Sequence, residues 1–203
     1  MNMKPTGKYR ISVLLFMGLS IVRSEEPMPR HYYAAKLEPV AHVLHGAGQC
    51  NSQDVEHYRR ALKSYDPAIF MDYCGVREDG AAFADNLKKK LAVFPKYTVV
   101  QLGLSMTRDG KPEEHYEHEV AAGKYDVQLI ELLKSLKLLD IPLYIRIGYE
   151  CNGSWNGYQP EKYKRAFRHI TQMIRKEGIN AATVWCPHPN DIEQAVGYYP
   201  GDE

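Results

Sequence analysis

The sequence predicts an α/β protein of the parallel-barrel class, a (β/α)8 barrel of which about the first five βα units are present. Three observations carry this. Short β-rich runs alternate with amphipathic helical stretches from residue 40 onward, and strand–helix–strand order implies crossover connections and a parallel sheet. The strand runs are near-continuously apolar, as expected for strands covered on both faces. The residues after the strands are rich in amide, imidazole, guanidinium and indole groups, which suits a fold whose site lies beyond the carboxyl ends of its strands.

The elements follow in order. "VAHVLHG" (40–46) predicts strand one. "SQDVEHYRRALKSY" (52–65) predicts a helix with Ser52 as N-cap. "AIFMDYCG" (68–75) is strand two, introduced by Pro67. The helix at 78–94 carries Phe83, Leu87, Leu91 and Phe94 at helical spacing. "YTVVQLGLSM" (97–106) is a β-branched strand three, and 120–139 reads as one strong amphipathic helix. "PLYIRIGYE" (142–150) is strand four. The helix at 160–178 has Pro160 near its start and Gly178 just past its end, the usual asymmetry of helix termini. "AATVWCP" (181–187) is strand five.

Composition excludes several classes. A formal charge of +1 leaves no footprint for a polyanion, so no nucleic-acid partner is expected. The one dense basic run, Lys88 to Lys90, falls on the polar side of a predicted helix. "HGAGQ" lacks the third glycine of a dinucleotide loop, and there is no P-loop. Residues 1–24 read as a signal peptide, with Lys4, Lys8 and Arg10 before the apolar run at 11–22. Residues 25–39 read as a linker, and 40–203 as the amino-terminal part of the barrel. The mature chain is therefore expected to be secreted or periplasmic, with no membrane contact beyond an N-terminal signal anchor. Cys50, Cys74, Cys151 and Cys186 form no CxxC pair, so no zinc site is expected, and buried free thiols are favoured over disulfides.

The predicted strands start about 35 residues apart. Eight such units need roughly 250 residues, more than 40–203 supplies. The expectation is a truncated barrel with two open sheet edges, prone to aggregate. A complete five-stranded open sheet is the alternative.

The predicted rim collects the chemistry. Strand one leads to His45 and Gln49, and strand two ends in Asp72 and Tyr73. Strand three carries Gln101 and leads to Arg108. Strand four ends in Glu150, then Asn152 and Trp155, and strand five in Trp185, then His188 and Asn190. Amide, imidazole and guanidinium groups suit hydroxyl-rich ligands, and indole faces suit pyranose rings. Period-two alternation puts Arg146, Gly148 and Glu150 on one face, with the glycine leaving room for a ligand or a neighbouring side chain. Two readings of Glu150 stay open: a proton donor, or a structural carboxylate paired with Arg146.

"PLYIRIGYECNGSWNGY" resembles the acid/base segment of retaining glycoside hydrolases of clan A, most closely glycoside hydrolase family 26, the β-mannanases and their relatives. Arg146, Glu150, Asn152, Gly153 and Trp155 occupy the family's places, while Tyr149 stands where the family usually has His. The resemblance covers 40–203 and is firmest over 142–187. It implies Glu150 as general acid/base, no metal, no cofactor, and a β-linked polysaccharide substrate, with β-1,4-mannan as an example. It implies Asn152 on a sugar hydroxyl and Trp155 and Trp185 stacked on sugar rings. Arg146, Tyr158, His188, Gln49 and His45 would line subsites. The family's nucleophile belongs to a seventh strand, so the fragment itself is expected to be inactive. A non-catalytic carbohydrate-binding relative and an unrelated α/β protein with a structural Arg146–Glu150 pair are the competing readings.

Overall fold

A computed structural model describes residues 44–48, 51–63, 66–95, 98–108, 111–189 and 191–201. The predicted leader and linker, and the predicted site residues Gln49 and Asn190 and the thiol Cys50, lie outside these residues. The elements are β1 (Gly46–Gly48), α1 (Ser52–Ala61), β2 (Ile69–Gly75), α2 (Gly80–Leu91), β3 (Val99–Ser105), β4 (Thr107–Arg108), β5 (Lys111–His115), α3 (Glu117–Ala121), α4 (Asp126–Lys137), β6 (Leu143–Ile147), α5 (Pro160–Lys176), β7 (Ala181–Val184) and α6 (Ile192–Val196). Five strands form one sheet in the order β1-β2-β3-β6-β7, and every adjacent pair is parallel. Each crossover carries at least one helix, as parallel neighbours require.

The β2 pattern shows how sequence sets the layers. Phe70, Asp72 and Cys74 are buried, while Ile69, Met71 and Tyr73 are half-buried. Phe70 joins Val100, Leu102, Leu104, Leu143, Ile145 and Ile147 in one core with Phe83 and Leu87 of α2, the leucines of α4, and Tyr163, Phe167 and Ile170 of α5. Each such side chain contributes roughly 1.5–3 kcal/mol by burial. The residues of opposite parity, among them Met71, Tyr73, Gln101, Tyr144 and Arg146, are only half-buried. The expected cover on both faces is therefore corrected: among the described residues, helices bury one face, and the other is the polar concave side of a barrel arc.

Local chemistry explains the remaining boundaries. α1 is capped by Asn51 rather than Ser52, through a reciprocal box in which the Asn51 side chain accepts from the Gln53 and Asp54 N–H groups and Asp54 accepts from the Asn51 N–H. Asp79 caps α2 by accepting from the Ala82 N–H at 2.9 Å. The helix expected over 120–139 is two helices, because Gly123 adopts φ +79 between them. The β4–β5 hairpin was not anticipated; Thr107 pairs with His115, and Arg108 with Lys111. Strand four stops at Ile147, not at residue 150. The chain after β7 packs back on α5, with Tyr198 edge-to-face on Tyr163 and Arg168 Nε donating to the Pro200 carbonyl at 2.6 Å.

Candidate active site

Strand β6 delivers Glu150 to the carboxyl edge of the sheet, but alternation does not aim it. Gly148 takes φ +54 and Glu150 φ +53, so two left-handed residues turn the chain as it leaves the strand. A side chain at Gly148 would meet the Tyr163 ring at 2.7 Å and the Met106 methyl at 2.8 Å. The glycine therefore makes room for the helix-side core. Of the two expectations for this glycine, a ligand or a neighbouring side chain, the structure contains the second, and on the helix side rather than on the Arg146 face.

A left-handed glutamate costs about 1–2 kcal/mol and persists only where its surroundings fix it. Here they do. The Glu150 N–H donates to the Cys186 carbonyl at 2.6 Å, and the Glu150 carbonyl accepts from the Gly153 N–H at 2.7 Å. Asn156 Nδ2 donates to the Tyr149 and Glu150 carbonyls, both at 3.0 Å, and Asn156 is 4% exposed. The main chain is thus bound from both the segment after β7 and its own loop.

The Glu150 carboxylate is half-buried, and its Oε2 accepts from Trp155 Nε1 at 3.0 Å. Trp155 remains 46% exposed, with its ring edge-to-face to His188 at 4.8 Å between centroids. The result is a carboxyl group beside an open indole face. Arg146 makes no ion pair with Glu150 among the described residues. Its guanidinium donates to Cys186 Sγ at 3.1 Å and Met71 Sδ at 3.3 Å and lies 5.3 Å from the Tyr149 ring centre. Burial works against the Arg146 charge, but the contacts with Cys186 and Tyr73 outweigh it and hold the pKa above its ordinary value. The structural reading of Glu150 as Arg146's ion-pair partner is not what the geometry contains.

The remaining predicted residues divide. Asn152 is buried and fully engaged: its Nδ2 donates to the His188 and Asp191 carbonyls at 3.1 and 3.2 Å, and its Oδ1 accepts from the His188 N–H at 2.7 Å. It ties the loop after β6 to the loop after β7. Trp185 is half-buried against the core and edge-to-face with Tyr199 at 5.0 Å. Three placements are corrected. Tyr158 is 5% exposed, with its hydroxyl accepting from the Met106 N–H at 2.9 Å; burial raises its pKa, and it lines no subsite. His45 precedes β1, and its carbonyl accepts from the Ala68 and Ile69 N–H groups at the start of β2. It therefore sits at the amino-terminal edge, opposite the site, where its ring bonds to the Tyr58 hydroxyl at 2.7 Å. Asp72 likewise faces the helices and pairs with Lys90 at 2.6 Å.

Beside Tyr149 a groove of about 480 Å³ continues across the ends of β2 and β3. Tyr73, Tyr149, Tyr116, Arg77, Arg108 and Thr107 are among its walls. Tyr116, Arg77 and Thr107 were not singled out in the sequence, since two of them depend on a hairpin that leaves little hydrophobic pattern. A larger cleft of about 630 Å³ opens between α5 and the start of β7, at the opposite edge from Glu150. Chemistry, not size, selects the first. No group of His, Cys, Asp and Glu among the described residues is arranged to hold a metal. Cys74, Cys151 and Cys186 are free thiols. Among the described residues, no helix is long and apolar enough to cross a membrane.

Fold and site define a parallel α/β barrel arc with a carboxylate–indole pair at the carboxyl edge of its sheet. The chain belongs to Glycosyl hydrolase family 26, whose profile matches residues 84–203, more than half of its length. It is 30% identical over 188 residues to a β-1,3-xylanase of an Alcaligenes species, and 29% identical over 188 residues to the β-1,3-xylanase TXYA of a Vibrio species. Each match covers 85% of this chain and 38% of the relative, so the chain spans well under half the length of these curated relatives. Among solved structures it is similar to the YdhT protein from Bacillus subtilis (17% identity, 79% of this chain and 61% of that one, TM-score 0.54). The Bacillus subtilis mannanase BCman matches at 17% identity over 78% of this chain and 59% of its own, also with a TM-score of 0.54. These structural likenesses establish the fold, a (β/α)8 barrel covered in part.

Proposed function

We propose that this chain carries the acid/base side of a retaining glycosidase site for a β-linked polysaccharide. Glu150 is the proton donor to the leaving sugar and, in the second half of the reaction, the base that activates water. The observation that carries this is the Glu150 geometry: a left-handed glutamate, fixed by main-chain bonds on both sides, with its carboxylate against an exposed indole. Trp155 is the sugar platform, and His188 steadies it. Asn152 acts by holding the two loops together, not by touching sugar. The tyrosine-walled groove beside Tyr149 is the continuation of the polysaccharide track. Retaining hydrolysis needs a second carboxylate about 5 Å from the first. The family resemblance assigns it to a seventh strand, which is not among the five described. In this reading the nucleophile comes from outside the described residues, and these residues bind sugar without completing hydrolysis.

The substrate class follows from the similar proteins. The curated relatives are β-1,3-xylanases at about 30% identity, and Tyr149 stands where the family usually has His, so a β-1,3-linked xylan is favoured over β-1,4-mannan. The test is native gel electrophoresis of the 203-residue chain through soluble β-1,3-xylan and through mannan. Retardation by xylan is expected, and Trp155→Ala should abolish it. Equal mobility of the wild-type chain with and without both polysaccharides sinks the proposal.

A further inference from the structure

One buried carboxyl group is unused by this reading. Glu117, at the start of α3, is fully buried. A carboxylate there is costly unless bonded. Its Oε1 accepts from the Gln159 backbone N–H at 3.0 Å, and its Oε2 meets His115 Nδ1 at 2.8 Å. Gln159 is the N-cap residue of the 17-residue α5, and its own side chain makes no capping bond. The first amides of a helix lack internal partners and carry a positive partial charge. Glu117 thus serves α5 from 42 residues away in sequence, as a cap residue would from within.

Two further contacts join the same segments. Gly157 adopts φ +67, and a Cβ there would lie 2.0 Å from the Pro112 carbonyl oxygen of the hairpin. The Tyr158 hydroxyl accepts from the Met106 N–H. Residues 157–159 are therefore locked to the excursion between β3 and α4. The loop from Gly148 to Gln159 is held by the bonded main chain of Glu150 at one end, by Asn152 and Asn156 within it, and by Tyr158 and Glu117 at the other end. Trp155 lies between them.

We propose that Glu117 is the positioning residue of this loop: by capping α5 from the hairpin, it holds the Trp155 indole against Glu150. The inference rests on the acid/base reading for its meaning in catalysis, but its test does not. The chain has two tryptophans and so two indole N–H resonances, assigned by Trp185→Phe. In Glu117→Leu, the Trp155 indole proton is expected to move toward its position in Glu150→Ala, where its acceptor is gone. Affinity for a β-1,3-xylo-oligosaccharide is expected to fall by about tenfold, the scale of one lost bond to a charged group. Glu117→Gln keeps an oxygen for the Gln159 amide and is expected to restore both readouts. A Glu117→Leu chain that is folded by circular dichroism, with the Trp155 resonance unmoved, overturns the proposal. If that variant does not fold, His115→Phe decides: a smaller movement in the same direction supports the proposal, and an unmoved resonance overturns it. If the wild-type chain binds no sugar, the acid/base reading falls, while the indole resonance still reports on the loop.

Discussion

Replacing Gly148 with Ala separates two accounts of the turn before Glu150. If the glycine clears space for sugar, the substitution weakens binding and leaves folding alone. The structure dictates the reverse. Alanine in the left-handed region at φ +54 costs about 1–2 kcal/mol. Its methyl would stand 2.7 Å from Tyr163 Cε2 and 2.8 Å from Met106 Cε, both in fully buried side chains. Tyr163 cannot simply swing away, because its hydroxyl donates to the Ile147 carbonyl at 2.9 Å. Overpacking of this kind adds about 1–3 kcal/mol. The sum is about 2–5 kcal/mol, against a total stability of about 5–15 kcal/mol for an ordinary domain. With a urea dependence of about 2 kcal/mol per molar, the unfolding midpoint falls by about 1–2.5 M. The assay is urea unfolding followed by far-ultraviolet circular dichroism. A midpoint within about 0.3 M of wild type, together with weakened xylan binding, would refute the core-packing argument and restore the ligand-space one.

Two further outcomes follow from the same bonds and burial. Asn152→Ala removes three hydrogen bonds between the loops after β6 and β7 and leaves the His188 N–H without its side-chain acceptor. A stability loss of about 2–3 kcal/mol is expected, together with weaker xylan binding as His188 leaves Trp155; urea unfolding and gel retardation measure the two. Burial, reinforced by Glu78 and Asp72, pushes the Cys74 thiol from 9.0 up to about 12. Its folded-state pKa is raised, so the stabilisation is complete below about pH 9 and is lost as pH climbs toward 12, at up to about 1.4 kcal/mol per pH unit. Urea midpoints measured at pH 8, 9 and 10 should decline accordingly, and iodoacetamide at pH 8 should spare Cys74 until the chain unfolds.

The parts of this fold legible from sequence are those that periodicity encodes. β2, β3, β6, α2 and α5 fall within a few residues of expectation, because their apolar spacing and the Pro160 and Gly178 boundary residues are local signals. The β4–β5 hairpin sets Thr-Arg against Lys-Pro-Glu-Glu-His, with no apolar alternation, and was invisible to that criterion. His45 was misplaced by a strand expected to end at residue 46: β1 runs over Gly46–Gly48, so His45 falls before the strand and not after it. Tyr158 was misplaced for a different reason. A tyrosine beside the predicted acid/base reads as a ligand group, whereas its burial depends on Met106 and Tyr198, distant in sequence.

Glu150 shows most clearly what sequence and structure each supply. Its position at the end of a strand was readable, and so were Trp155 and the family resemblance. Its orientation was not, since period-two alternation would have put it on the Arg146 face and invited an ion pair. Two left-handed residues break that alternation, and the bond falls to Trp155 instead. An ion pair would hold the carboxyl group ionised and make it a poor proton donor, because a nearby positive charge favours the charged form. An indole N–H provides direction without a full positive charge. In the proposed acid/base reading, the strain at Glu150 and the density of bonds around it serve one requirement: a carboxyl group held still without a cationic partner.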